Sequence, residues 1–182
     1  AAGSLFSCAT RADGELVCWG EDDAGAFGTG VPHVGVQPGI VTGFTNVVEG
    51  APSRFIDGPT GIAAYFLCAR HADGTVACAG TGEDGECGVG ATSYPSSVLV
   101  PTPVAGLTGV TDVEVGTRHA CALLSDHSVW CWGRNTDGRC GIGDIMPPHD
   151  RLGAPMRVVG LGTATQISTG VDTSCAVLAD HT

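Results

Sequence analysis

The sequence predicts an all-β fold built from repeated, cysteine-stapled hairpins, and three observations carry that prediction. Cysteines stand in pairs with nine residues between them: Cys8 with Cys18, Cys68 with Cys78, and Cys121 with Cys131. Each pair brackets a turn signal five positions after its first member, at Asp13-Gly14, Asp73-Gly74 and Asp126-His127. The first cysteines recur at spacings of 60 and 53 residues, and Cys175 opens a fourth copy 54 residues later with Asp180-His181 in its turn. A fixed period of this length marks a repeat architecture. Abundant glycine (29 residues) and short apolar runs suit strands joined by tight turns.

Aligned on the first cysteine, each unit reads in order. A glycine stands five residues ahead of it at Gly3, Gly116 and Gly170. In the later units an alternating segment precedes that glycine or includes its approach, Val113-Glu114-Val115 and Gln166-Ile167-Ser168, which predicts a half-buried strand. The strand bearing the first cysteine follows, as in Ala120-Cys121-Ala122-Leu123-Leu124, and after the turn comes Ser128-Val129-Trp130-Cys131-Trp132-Gly133. Pairing Cys8 with Cys18 centres a hairpin on Asp13, and the other pairs centre on Asp73 and Asp126. Directly opposed residues in such a ladder bring Cβ atoms to about 4.5–5.5 Å, close enough for a bridge after modest adjustment. Zinc ligands instead arrive as C-x2-C or C-x4-C with histidines at matching offsets, so disulfides are favoured over metal. Each hairpin then enters a glycine-rich loop: Gly25–Gly30, Gly85–Gly90 and Gly138–Gly143. No strand–loop–helix context and no Lys-Ser/Thr accompany these loops, so their glycines are read as supplying positive φ and close backbone approach rather than a phosphate cradle.

The string Gly116 to Asp144, G-x-x-H-A-C-A-L-L-S-D-x-S-V-W-C-W-G-R-N-x-x-G-R-C-G-I-G-D, resembles the repeat of the regulator of chromosome condensation family. The resemblance covers nearly the whole chain and is weakest in the second unit, where Ala79 replaces tryptophan. It implies a β-propeller with blades of four antiparallel strands, normally seven of them; the paired cysteines resemble bacterial, disulfide-bearing versions. A ring of that size at this period takes about 350–400 residues. The 182 residues therefore correspond to a partial propeller of about three blades, with units at 3–61, 62–115 and 116–169 and the start of a fourth at 170–182. Both ends cut through a blade, and unpaired strand edges are normally covered. Further polypeptide is the expected cover, with a second copy or a partner subunit as the alternatives. The chain begins at Ala1 without an initiating Met or a signal-peptide pattern, which predicts a processed or partial chain.

Composition narrows the function. Net charge is −11, the eight basic residues are all arginine, and charged residues make up only 15%. Nucleic acid and anionic membranes both call for a basic footprint, and neither is an expected partner. No apolar run approaches the roughly 20 residues needed to cross a bilayer. Paired cysteines predict an oxidising location: secreted, extracellular or periplasmic. No Ser-His-Asp pattern with a nucleophile elbow and no HExxH is present, so no catalytic residue, cofactor or metal site is assigned. His119, before a cysteine strand, is expected to be a buried hydrogen-bonding residue; His127 and His181 replace a turn glycine, a place that tolerates left-handed geometry.

The resemblance identifies fold more than activity, since such repeats serve unrelated functions. The expected role is a non-catalytic protein–protein interaction module of an exported repeat protein, binding a protein partner or further copies of the repeat through rim loops. A small-molecule ligand is not expected. The rival reading is a structural subunit of a larger extracellular or membrane-associated assembly. Candidate contact residues fall in two groups. An insertion at about 50–61 places Arg54, Phe55 and Ile56 between prolines, as a contact loop or a solvated excursion. Acidic residues after the hairpins, Glu21, Asp22, Asp23, Glu83 and Asp84, form either an arc suited to a basic partner or a solvated rim, broken in the third unit by Arg134. Cys87 and Cys140, each nine residues after a hairpin's second cysteine, have three open fates: bridging adjacent blades, burial as small apolar residues, or pairing outside the chain.

Overall fold

The computed structural model describes residues 2–3, 6–22, 25–28, 33–53, 56–57, 62–63, 65–90, 96–180 and 182. Residues Phe6–Thr10 (β1), Leu16–Asp22 (β2) and His33–Ile40 (β3) form a first sheet in the order β1-β2-β3. Next come β4 (Val47–Pro52), the short β5 (Ile56–Asp57) and β6 (Ile62–Ala63), then β7 (Phe66–His71), β8 (Val76–Thr81) and β9 (Ser97–Pro103). Of these, β4-β7-β8-β9 make a four-stranded sheet. The third sheet repeats it as β10 (Val110–Val115), β11 (His119–Leu124), β12 (Val129–Arg134) and β13 (Arg151–Arg157). The strands β14 (Ala164–Thr169) and β15 (Ser174–Leu178) pair as the opening of a fourth. All pairings are antiparallel. The strands β4, β10 and β14 lie side by side as the innermost members of successive blades.

Each hairpin has the register its cysteines imply. Cys8 opposes Cys18, Cys68 opposes Cys78 and Cys121 opposes Cys131, and all three pairs are disulfide-bonded. Aspartate builds each turn by capping the backbone two residues ahead, as Asx turns do. Asp73 Oδ1 accepts from Thr75 N at 3.0 Å and from Thr75 Oγ1 at 2.7 Å; Asp126 takes the same bonds from Ser128 at 3.0 and 2.6 Å. These side-chain hydrogen bonds hold the Asp73 and Asp126 carboxyls below their ordinary range. Just past the second cysteine, each hairpin's outer ladder carries a bulge, between Cys18 and Gly20, Cys78 and Gly80, and Cys131 and Gly133. The bulge needs positive φ: Gly80 sits at 113° and Gly133 at 98°, and a Cβ on Gly80 would lie 2.1 Å from the Tyr65 carbonyl oxygen. That is why the tryptophan or alanine before the bulge is followed by glycine in every unit.

Backbone hydrogen bonds join one blade to the next at matching points. The turn carbonyls of Gly14, Gly74 and His127 accept from the first amides of the following inner strands, Val47 at 2.9 Å, Val110 at 3.0 Å and Ala164 at 3.2 Å. His127 holds the turn at φ 67° in place of glycine, and its Nδ1 is also 3.0 Å from the Ala164 carbonyl.

The insertion begins later than the sequence spacing places it. Gly50, Ala51 and Pro52 belong to β4, opposite Ala69, Cys68 and Leu67, because the innermost strand needs them to complete its ladder. Ser53 N donates to the Phe66 carbonyl at 2.9 Å and Thr81 N to the Tyr65 carbonyl at 2.7 Å, so Ser53 and Tyr65 both belong to the blade and the β5–β6 pair falls between them in sequence. Arg54 and Phe55 lie outside the described residues, and Ile56 is placed in β5.

Two apolar cores lie between the sheets. One gathers Phe6, Leu16, Phe27, Phe44, Leu67 and Ala79 at the first seam; the other runs from Phe66 through Trp132 to Ile167. Both Cys87 and Cys140 are buried as free thiols, the second of the three fates open to them, and Cys175 is exposed. No helix among the described residues is long and apolar enough to cross a membrane.

Each bridge spans a sequence separation of 10. Closing a loop of that length in the unfolded chain is worth about 3 kcal/mol in the chain-entropy treatment. Replacing both Cys68 and Cys78 with alanine is expected to lower the melting temperature by roughly 6–12 °C. Calorimetry of the oxidised protein checks this, and an unaltered transition would remove the bridge from the stability of the blade.

Candidate functional site

The glycine-rich loop after each hairpin is a seam element. Its chain doubles back through short turns, Gly85 N to Gly82 O at 3.0 Å and Gly88 N to Gly85 O at 2.9 Å, repeated at Gly138–Asn135 and Gly141–Gly138. The folded loop lies against the start of the cysteine strand in the next blade. This placement decides the fate of the acidic residues. Asp84 is buried, with Oδ2 2.9 Å from Arg118 and Oδ1 3.0 Å from Arg151 of the following blade. Glu86, fully buried, lies 3.8 Å from the same Arg118 and accepts a hydrogen bond from Asp84 N at 2.8 Å. Asp22 is buried in its own loop and accepts from Phe27 N at 3.1 Å. Glu83 is exposed, Glu21 is half-buried within β2, and Asp23 lies outside the described residues. The carboxylates at Asp22 and Asp84 therefore serve seams and loops rather than an open acidic arc.

At the next seam the charges exchange places. Arg139 occupies the loop position of Glu86, and Asp172 the position of Arg118. Arg139 is buried and bonds Asp137 at 2.6 Å and Asp172 at 2.7 Å. Beside it His119 is fully buried, with Nε2 3.0 Å from Ser174 Oγ of the fourth sheet. Burial pushes its pKa down to about 4, so the ring is neutral and joins two blades through the Ser174 hydroxyl and the Thr173 backbone. Among the described residues no group of three or more His, Cys, Asp or Glu stands together as a metal-ligand set.

The surface that sequence reasoning missed is the loop between β12 and β13. Asn135, fully buried, donates through Nδ2 to the Asp144 carbonyl at 2.7 Å and the His149 carbonyl at 2.8 Å, while its Oδ1 accepts from Cys140 N at 3.0 Å. Above that clamp Asp144 accepts from Met146 N and from His149 Nδ1, both at 2.9 Å. The clasp displays Ile145, 46% exposed, Met146, 67% exposed, and the exposed pair Pro147-Pro148. The signal available in the sequence was the apolar Ile145–Pro148 run inside an otherwise polar loop. Arg134 stands half-buried at the foot of the loop, its Nε donating to Thr136 Oγ1 at 3.2 Å.

The Glu86 carboxyl is pushed up to about 7, first by desolvation, against an ordinary value of 4.5. The folded state thus favours the neutral acid: its contribution to stability is complete below pH 4.5 and is lost as pH rises through 7. A Glu86→Gln variant, neutral throughout, is expected to gain stability relative to the parent between those pH values. Paired thermal melts across the window test this, and a pH-independent difference would contradict it.

Comparison with known proteins agrees with this architecture. The family described as "Regulator of chromosome condensation (RCC1) repeat" matches residues 73–123 and 126–177 in one form and 1–26 and 110–139 in another. The human E3 ubiquitin-protein ligase HERC2 is 29% identical over 143 residues, covering 79% of this chain and 3% of that protein. Protein pim1 of Schizosaccharomyces pombe is 27% identical over 190 aligned residues, 93% of this chain and 35% of its own length. The chain thus spans about a third or less of these curated relatives. Among solved structures, Prp20p of Saccharomyces cerevisiae superposes with a TM-score of 0.79 at 19% identity, over 96% of this chain and 42% of that one. Human WBSCR16 gives 0.76 at 18% identity, over 98% and 44%. With blades, register and repeat strings in agreement over more than half its length, this chain belongs to the regulator of chromosome condensation repeat family.

Proposed function

We propose that this chain is a non-catalytic protein-binding module and that the loop between β12 and β13 is its principal contact. The observation that carries the reading is the Asn135 clamp, which holds Ile145, Met146, Pro147 and Pro148 out into solvent on a hydrogen-bonded base. Exposing a thioether and an isoleucine together is unfavourable in water unless another surface covers them, and a loop already ordered loses little entropy on docking. Relatives of the same fold support a protein as the partner. Yeast Prp20 has been solved bound to Kap60, and Prp20p is described by its binding to Gsp1p and histones. The partner class proposed is a protein with an apolar depression bordered by basic groups, complementary to Ile145–Pro148 and to the flanking Asp144 and Asp150. Export belongs to the same proposal and is supported by three disulfides, which persist in oxidising compartments.

A photo-crosslinking residue at position 146 is expected to give one discrete adduct in cells of the source organism. Ile145→Asp in the same chain is expected to reduce its yield at least tenfold, and a crosslinker at the exposed Val159 is expected not to form it. The same adduct from both positions, or a yield indifferent to Ile145→Asp, would overturn the assignment.

A further inference from the structure

The seam between the second and third blades holds more carboxyls than its arginines serve. Near the glycine-rich loop Asp84 commits both oxygens, Oδ2 to Arg118 at 2.9 Å and Oδ1 to Arg151 at 3.0 Å. Glu86, fully buried beside it, accepts from the Asp84 amide through Oε2 at 2.8 Å. Its Oε1 lies 3.8 Å from the Arg118 guanidinium and receives no hydrogen bond from the described residues. At the innermost strands Arg70 donates to Glu49 on β4 at 2.9 Å, and the carboxyl of Asp112 on β10 hydrogen-bonds to that same Glu49. Two carboxyls bond to each other only when one carries a proton, since an ionised carboxylate has no donor. Arg70, Arg118 and Arg151 are thus engaged by Glu49 and Asp84, and Glu86 and Asp112 are left over.

Desolvation acts first on both leftover groups, pushing Glu86 up to about 7 from 4.5 and Asp112 up to about 6 from 3.8. Around Asp112 the carboxyls of Glu49 and Glu114 push the same way and Arg70 opposes them. The neighbouring β14 contributes only the uncharged Thr165 and Gln166 at the matching positions. Around Glu86 the Asp84 carboxyl pushes up, while Arg118 and the backbone amides of Asp84 and Glu86 oppose it. The next seam is built without this surplus. Gln166 stands at the position of Asp112, just past the same bulge, and Arg139 stands at that of Glu86, bonded to Asp137 and Asp172. Its buried ring, His119, titrates at about 4.

We propose that the joint between the second and third blades is proton-operated: one proton on Glu86 and one held between Glu49 and Asp112 fasten the two blades, and their release lets this seam open while the next stays closed. Opening returns both carboxyls to water, where they ionise at their ordinary values, so the open seam binds fewer protons than the closed one. Acid therefore favours the closed joint. Opening becomes more frequent as pH rises between 4.5 and about 7 and levels off above. Blades that touch only their neighbours can part at one seam without global unfolding.

Backbone amides report on each seam separately. Across this joint Val110 N donates to the Gly74 carbonyl at 3.0 Å and Gly90 N to the Gly153 carbonyl at 2.7 Å; across the next, Ala164 N donates to the His127 carbonyl at 3.2 Å. Hydrogen exchange of these amides, followed by NMR and corrected for intrinsic rates, yields an opening constant at each pH. Between pH 5 and pH 7 that constant is expected to rise by about tenfold or more at Val110 and Gly90 and by less than about twofold at Ala164. In a Glu86→Gln/Asp112→Asn chain the rise at Val110 and Gly90 is expected to disappear. The two seams compared in the unaltered chain decide the matter even if that variant does not fold. Opening constants at Val110 and Gly90 that ignore pH, a parallel rise at Ala164, or a rise that survives in the folded double variant would each overturn the proposal.

Discussion

A sheet of four short strands has two broad faces, and here each is buried only by the sheet before or after it. Everything else in the structure follows from how closely those sheets approach. The glycine-rich loop of one blade folds onto the cysteine hairpin of the next, and the contact is made by side chains that reach across it, Trp132 onto Gly88 and Arg118 onto Asp84. Such a contact is nearest-neighbour in character, so stability accumulates seam by seam. The disulfides act inside this scheme. They fix the register of each hairpin, and that register places the residue after the second cysteine at the seam.

The seams also account for a feature of composition. With a net charge of −11, arginines would be expected to spread over the surface as solvated counter-charges. Instead Arg118 and Arg139 are buried, each among carboxylates of its seam. A buried charge is tolerated when it is paired and hydrogen-bonded, and guanidinium suits that geometry better than ammonium. The exposed surface keeps most of the acids, Arg11, Arg151 and Arg157, and a few apolar groups, among which Ile145 and Met146 stand on a hydrogen-bonded base.

Much of the hairpin was legible because its signals are local. Cysteine spacing, the Asp turn and the Trp-Gly bulge each depend on residues a few positions apart, and all three reappear in the register. The outermost strands were not legible as strings. The segments of β3, β9 and β13 share little, and each contains proline, at Pro38, at Pro101 and Pro103, and at Pro155. Proline is tolerated at a sheet edge because an outward N–H has no ladder partner to lose; it blunts the edge and erases the usual strand signature together. The candidate site was legible only in part. Whether Asp84 faces water or an arginine depends on Arg118 and Arg151, 34 and 67 positions away, and nothing local reveals such a pairing. The clamp around Asp144–His149 was hidden for a related reason, since Asn135 is an ordinary loop residue until its amide is seen to hold two carbonyls.

The exchanged charges have a consequence for how such a chain can evolve. Repeat proteins change length by duplicating or losing whole units, which presumes that units are interchangeable. Here they are not. Loss of the third unit would bring the loop carrying Glu86 onto the segment carrying Asp172, setting acid against acid at the seam in place of the arginine that each now meets. Loss of the second would press Phe27 against Trp132. Each blade therefore carries a key cut for its successor, and the order of the repeats is written into the seams as firmly as the fold is written into the hairpins.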